Sequence, residues 1–285
     1  MELNTIYNED CLEGMKKIES DSIDLVVTSP PYDNLRDYKG FNFDFYNTAG
    51  EIYRVVKDGG VVVWVVGDAT NNGSESGTSF RQALYFMELG FKLHDTMIFA
   101  KNNPIPLTHR RYEQQFEYMF VFSKGKPKTF NPIKIPSKNT GQKSTISHRR
   151  KSDDLEKGSG YGKLKKKDKI KTNIWFYNVG NSQSSSDKIA YKHPAIFPEK
   201  LARDHIVTWS NEGETVLDPF MGSGTTAISC IDTNRNYIGF EISEEYCGIS
   251  NDRIKKHKEE WNEELLWKNY LIVFKMEMDG LNYCG

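Results

Sequence analysis

Residues 216–231 read VLDPFMGSGTTAISCI. An apolar run ends in an acid, Asp218, and a proline, Pro219. Glycines at 222 and 224 break the chain, and a helix-compatible stretch begins near Thr225. This is the pattern of a strand, a tight turn and a helix. In an open α/β sheet such turns lie at the carboxyl ends of strands, where ligands bind. Glycine lets the chain turn tightly and lets backbone approach a ligand closely. The spacing is not the phosphate cradle GxxxxGK[ST], because no lysine follows the second glycine. Nor is it GxGxxG, since GSGTTA carries alanine at the third position. The next strand-like stretch, NYIGFEI at 236–242, reaches Glu241 near its end. An acid there can grip the two hydroxyls of a ribose. It can equally serve as an N-terminal acid of the following helix.

On either side of this unit, strand and helix patterns alternate. Strands are expected at 4–8, 23–29, 61–67, 95–101, 116–124, 214–220 and 236–242, and helices at 11–19, 44–57, 79–90, 195–210, 223–233 and 243–260. Near-continuous apolar runs such as VVVWVVG at 61–67 suit strands buried on both faces. Alternation of this kind predicts an α/β fold, a doubly wound and mostly parallel seven-stranded sheet. The stretches 95–101 and 116–124 have no helix between them, which predicts an antiparallel hairpin at one edge. The aromatic run NIWFYNV at 173–179 reads as core packing, and NYLIVFK at 269–275 could add an edge strand.

A second stretch, VVTSPPYDN at 26–34, ends a strand in an unusual way. A strand that only has to turn would use Asn-Gly or Asp-Gly. Two prolines remove two backbone donors and fix two φ angles. The residue before each is pushed toward extended geometry. The product is a stiff, carbonyl-rich segment with a hydroxyl at Ser29 and an aromatic face at Tyr32.

The chain has 285 residues and a net charge of −1. Such a length suits one α/β domain with an insertion, or two small domains. Cys11, Cys230, Cys247 and Cys284 form no CxxC, which argues against a structural zinc site or a disulfide framework. No apolar run approaches the roughly 18 residues of a membrane span, and the N-terminus is acidic and polar. A cytoplasmic protein is expected. The charge is very uneven: residues 124–171 hold 16 Lys or Arg against four Asp or Glu, a local balance of +12 that leaves −13 on the rest. This segment is rich in Ser, Thr, Gly and Pro and lacks apolar periodicity. It is either a solvated loop or the electrostatic footprint of a polyanion.

TSPPY at 28–32 and DPFMGSGTT at 218–226 together resemble the amino-group DNA methyltransferases, which move a methyl from S-adenosylmethionine to the exocyclic amine of adenine or cytosine. With the catalytic motif first and the cofactor loop last, the order is similar to the circularly permuted β group. HPAIFPEKLARDHI at 193–206 resembles the helix that closes over the methionine part of the cofactor. The resemblance covers most of residues 1–260. It implies a catalytic half at 1–123, a basic target-recognition insert at 124–192, a cofactor-binding half at 193–260 and a tail at 261–285. It implies double-stranded DNA as partner, admits a cognate restriction endonuclease and a homodimer, and suggests nucleoid association in a prokaryote or phage-infected cell.

The chemistry gives Ser-Pro-Pro-Tyr a purpose. An exocyclic amine is a poor nucleophile because its lone pair is delocalised into the ring. Two acceptors on its N–H groups favour a tetrahedral nitrogen and stabilise developing positive charge. Ser29 Oγ and the Pro30 carbonyl can be those acceptors, held in place by Pro30 and Pro31. Tyr32 offers a stacking face, and the base must flip to reach it. No metal or covalent intermediate is needed, and no Pro-Cys dipeptide exists for the thiolate route to C5 of cytosine. The resemblance implies a cofactor site of Asp218, Phe220, Gly222, Gly224, Thr225 and Glu241, with Asp218 at the methionine amine. Asp10 would meet the adenine amine, or cap helix 11–19 with Glu13 completing a capping box. Arg110 and Arg111, in a proline-containing loop, could contact phosphates or form a solvated patch. In the insert, Lys165, Lys166 and Lys167 would position the backbone, and Arg149 and Arg150 could read base edges. In the family a serine at position 29 leans toward N4 of cytosine, with N6 of adenine the alternative. A different class also fits: a nucleic-acid-binding protein that kept the fold without catalysis.

Overall fold

The computed structural model describes residues 1–31, 43–104, 110–149, 155–157, 160–180, 183–185, 187–193, 196 and 198–261. Its main sheet has eight strands: β1 Thr5–Tyr7, β2 Ile23–Thr28, β3 Val56–Val66, β4 Lys92–Lys101, β5 Phe116–Ser123, β6 Ile174–Tyr177, β7 Thr215–Asp218 and β8 Asn236–Phe240. Their spatial order is β1-β8-β7-β2-β3-β5-β4-β6. β5 alone runs antiparallel to its neighbours β3 and β4. The sequence predicts seven strands. The eighth is β6, drawn from the aromatic run at 173–179, whose alternation puts Trp175 and Tyr177 inside and Ile174 and Phe176 outside. β6 pairs in parallel with β4, so the β4–β5 hairpin lies one strand in from the edge.

Helices cover both faces. α1 Cys11–Met15, α2 Phe45–Val55 and α3 Thr78–Glu88 pack on one side. α4 Glu199–Trp209, α5 Thr225–Ile231 and a helix over 244–261 pack on the other. β3 shows how one apolar run serves both layers. Val61, Val63 and Val65 join the α4–α5 side, while Val62, Trp64 and Val66 join the α1–α3 side. Strand periodicity of two sends alternate side chains to opposite faces. Trp64 is fully buried and donates its indole N–H to Gln82 Oε1 at 2.8 Å. α1 is shorter than the sequence suggests: it ends at Met15. Among the described residues no helix is long and apolar enough to cross a membrane. Residues 269–275, expected as an edge strand, lie outside the described ones.

Part of the basic segment is organised. Lys134–Pro136 pairs antiparallel with Asp168–Ile170, and Ser147–Arg149 with Leu155–Lys157. The segment is rooted where it returns to the sheet. Tyr177 donates its hydroxyl to buried Asp204 on α4 at 2.9 Å, and Lys200 donates to the same carboxylate at 3.0 Å. Lys171 Nζ sits 4.4 Å from the Trp175 ring centroid and 3.7 Å from Asp204. Burial holds the Lys171 ammonium below its ordinary pKa, against the pull of Asp204.

The connections diverge between β7 and β2. The chain after β7 goes through α5 to β8, away on one side; the chain after β2 goes through α2 to β3, away on the other. This is the topological switch point of the sheet, where the strand ends leave a crevice. One carboxylate bridges it. Asp218 Oδ1 accepts from Thr28 Oγ1 at 2.6 Å and from the Phe220 N–H at 3.0 Å, and Oδ2 accepts from Thr226 Oγ1 at 2.6 Å. Asp218 is 1% exposed. Burial raises its pKa, and the three donors pull it back only in part. A raised folded-state pKa adds stability below the ordinary carboxylate value of 3.8, which is lost as pH rises through the folded value. Asp218→Asn keeps the bridging shape, because the Thr226 hydroxyl can turn to accept from the new amide. The variant should therefore gain stability relative to the parent as pH rises from 4 toward neutrality. Urea midpoints measured across that range check this, and a parallel pH dependence in the two proteins would dissociate Asp218 from it.

Candidate active site

A cleft of about 1790 Å³ runs along the carboxyl ends of the strands. Its wall takes Asp10 after β1, Ser29 and Pro31 after β2, Asp68 after β3, Lys101 at the end of β4 and Glu241 after β8. The glycine turn between β7 and α5 contributes Phe220, Met221, Gly222, Ser223 and Thr225. The two motifs far apart in sequence thus face one space.

The glycine turn is held from several directions. Gly222 and Gly224 adopt φ of +52° and +81°, the left-handed region that favours glycine. Gly222 N–H donates to Glu241 Oε2 at 2.9 Å, and Ser243 N–H donates to Oε1 at 2.8 Å. Each Glu241 oxygen keeps a further lone pair, and the residue lines the cleft. Burial raises the Glu241 pKa, opposed by those backbone donors. From behind, Arg253, 1% exposed, donates to the Ser223 carbonyl and pairs with Glu199 Oε1 at 2.7 Å. That links the turn to the 244–261 helix and to α4. A Cβ on Gly222 would come 3.2 Å from the His193 ring. A side chain there would meet both the left-handed backbone and this ring.

The other expected residues divide. Asp10 lines the cleft, and its Oδ1 caps α1 by accepting from Leu12 N–H at 2.8 Å and Glu13 N–H at 3.3 Å. Glu13 completes no capping box; it pairs with Lys16 at 2.6 Å. Asp218 and Gly224 stand behind the wall, and all three acceptor bonds of Asp218 go to the protein, while Pro30 lies between Ser29 and Pro31, which both line the cleft. Phe220 packs edge-on to Phe43 with centroids 5.0 Å apart. Arg110 and Arg111 are exposed on the cleft wall. Arg111 donates to the Gly73 carbonyl and lies 3.9 Å from Glu75. Lys166 and Lys167 are exposed, and Lys165 is partly buried, with its N–H donating to the Gln142 carbonyl at 2.9 Å. None of the three lines the cleft. Arg149 closes the short strand Ser147–Arg149, while Tyr32 and Arg150 lie outside the described residues.

Several wall residues are not legible in the sequence, Asp68 and Lys101 among them. Phe43 sits in an aromatic-rich stretch with no spacing to single it out. His193 and Tyr246 meet edge to face at 4.4 Å beside the glycine turn. The resemblance predicts a helix from residue 193, but α4 begins only at Glu199.

The sequence matches the family model described as DNA methylase, of the N6/N4 type, over residues 23–252. The chain belongs to that family. It is 54% identical over 265 residues to the orphan methyltransferase M.BamHII of Bacillus amyloliquefaciens, covering 92% of this chain and 94% of that one. It is 26% identical to the type II methyltransferase M.SmaI of Serratia marcescens, covering 87% and 90%. The same fold is seen in the PvuII DNA methyltransferase, described as cytosine-N4-specific: TM-score 0.64, 22% identity, 90% of this chain and 91% of that chain. The protein is a DNA amino-methyltransferase. The same fold is seen in M1.HpyAVI, solved as a complex with S-adenosylmethionine: TM-score 0.55, 24% identity, 87% of this chain and 98% of that chain. The cleft fits that cofactor in kind: an acid with free lone pairs, a glycine turn at a helix start and the aromatic face of Phe220. Bound there, the sulfonium supplies an electrophilic methyl.

Glu241→Gln tests the wall. One end of the new amide would meet a backbone N–H donor to donor, leaving a buried group unpaired. Affinity for S-adenosylmethionine should fall by about tenfold or more, read by calorimetry on a variant whose circular dichroism matches the parent. An unchanged affinity would remove Glu241 from the cofactor site.

Proposed function

We propose that the enzyme methylates the exocyclic amine of a base extruded from double-stranded DNA, and that the base is cytosine, modified at N4. The observation that carries this reading is the position of Ser29. It leaves β2 directly after Thr28, the residue bonded at 2.6 Å to Asp218 at the root of the glycine turn. The acceptor segment and the cofactor turn are thereby neighbours on one cleft. Ser29 Oγ and the Pro30 carbonyl accept from the two amine hydrogens, which favours the tetrahedral nitrogen that attacks. The bond to each acceptor strengthens as positive charge develops, so it lowers the barrier more than it tightens binding. An amine inside a duplex cannot reach this floor, and extrusion follows from that. Tyr32 supplies the stacking face. Asp10 and Glu241 orient the nucleoside part of the donor.

Mass spectrometry of nucleosides from DNA incubated with enzyme and donor should show N4-methylcytosine. N6-methyladenine instead would overturn the choice of base and leave the reaction class standing. Ser29→Ala should lower the single-turnover rate by about ten- to a hundredfold or more, with DNA affinity nearly kept. A parent-like rate would take the hydroxyl out of the chemistry.

The basic segment supplies most of the phosphate contacts, since the remainder of the chain carries a net −13. Lysines there position the duplex, and Arg149 and Arg150 reach base edges. Replacing Lys165, Lys166 and Lys167 with Gln should weaken binding to all sequences alike. It should also flatten the plot of log K against log salt by about 0.9 for each phosphate that the variant no longer neutralises. An unaltered salt slope would return this cluster to solvent. The name of the 54% identical relative, an orphan methyltransferase, supports action without a companion endonuclease.

A further inference from the structure

Extruding a base leaves a gap in the duplex about 3.4 Å thick. Unless something fills it, the flanking bases lose their stacking and the flipped state is penalised. A side chain with a broad flat face is well suited to fill it, because it can stack on the flanking bases. It must be free to leave water without breaking contacts inside the protein. It must also stand at the mouth of the cleft that receives the base, on an anchored stretch of backbone with cations beside it to hold the phosphates.

Most exposed aromatic residues fail one of these conditions. Tyr46, Phe80, Phe130, Tyr161, Phe176 and Trp261 do not line the cleft. Phe116 does, but it is 41% exposed and its ring packs against Tyr118 at 5.4 Å. Tyr112 lines the cleft and is 100% exposed. Arg110 and Arg111 immediately precede it on the same wall. The chain around it is tied down at Arg111, one residue before, and at Gln115, three residues after. Arg111 is bonded to the Gly73 carbonyl, beside the turn that joins Thr70–Asn71 to Ser74–Glu75. The Gln115 carbonyl accepts from Lys101 N–H at 2.7 Å, just before the chain enters β5 at Phe116.

We propose that Tyr112 is the residue that enters the duplex and occupies the space vacated by the target base, with Arg110 and Arg111 on the flanking phosphates. This rests on the base-extrusion reading above. Its role is to hold the extruded state, so it positions substrate without touching the reacting amine.

The test compares two duplexes that carry the enzyme's own site, identified by sequencing DNA it has methylated. One is fully paired; the other has a mispair opposite the target base, which removes much of the cost of extrusion. Tyr112→Ala should methylate the paired duplex about ten- to a hundredfold more slowly in single turnover, the worth of one stacked base. Most of that loss should vanish on the mispaired duplex. Tyr112→Trp should behave as the parent, and all three proteins should bind S-adenosylmethionine equally. A parent-like rate for Tyr112→Ala on paired DNA would overturn the proposal. So would equal losses on both duplexes, which would make Tyr112 a general DNA contact. A parent that methylates single strands and mispairs but no paired duplex would overturn the extrusion reading itself, and this inference with it.

Discussion

The fold and the site hang on a buried carboxylate. Asp218 ends β7 and accepts hydrogen bonds from Thr28 at the end of β2, from Thr226 in α5 and from its own turn. These partners come from opposite ends of the chain, 190 residues apart for the Thr28 bond. A carboxylate out of water is costly unless its lone pairs are filled, so the strand ends can settle only where all the donors arrive together. That requirement sets β7 beside β2 at the switch point. The crevice, the acceptor segment and the glycine turn all take their places from it.

Behind the turn, Arg253 plays a related part. Its guanidinium is 1% exposed and ties the Ser223 carbonyl to Glu199 on α4. Burial lowers its pKa, and the partners Glu199 and Asp187 oppose the shift. The turn is thus gripped by Glu241 from the cleft side and Arg253 from the rear. Catalysis of this kind depends on groups placed before the substrate arrives, and a turn held on both sides meets that need.

Charge is divided between two tasks. The described residues of the basic segment are mostly exposed, where screening is strong and each contact is weak alone. Its return to the sheet is the opposite: Lys171, Tyr177 and Lys200 converge on Asp204, which is 3% exposed. Beside that cluster His205 is fully buried against Met119 and Trp175, and burial pushes its pKa down to about 3. The imidazole is therefore neutral at physiological pH and serves packing.

Local pattern sufficed for much of this. The apolar runs fixed the type of β2, β3, β7 and β8, because side-chain alternation and burial on both faces leave no other reading of VVVWVV. Ser29-Pro30-Pro31 and Gly222-x-Gly224 were legible because proline and glycine restrict or free the backbone wherever they occur. What could not be read depended on contacts between distant segments. Asp218 looked like a ligand-binding acid at a strand tip, yet its carboxylate faces Thr28 and Thr226 and stands behind the cleft wall. Gly222 lines the cleft as its motif suggests, and only the fold shows that His193 lies 3.2 Å from where its Cβ would be. The eighth strand was not legible because Trp175 and Tyr177 become buried only when β4 and α4 are beside them. A motif states what a residue can do; which of its options is used depends on the partners that folding brings within about 3 Å.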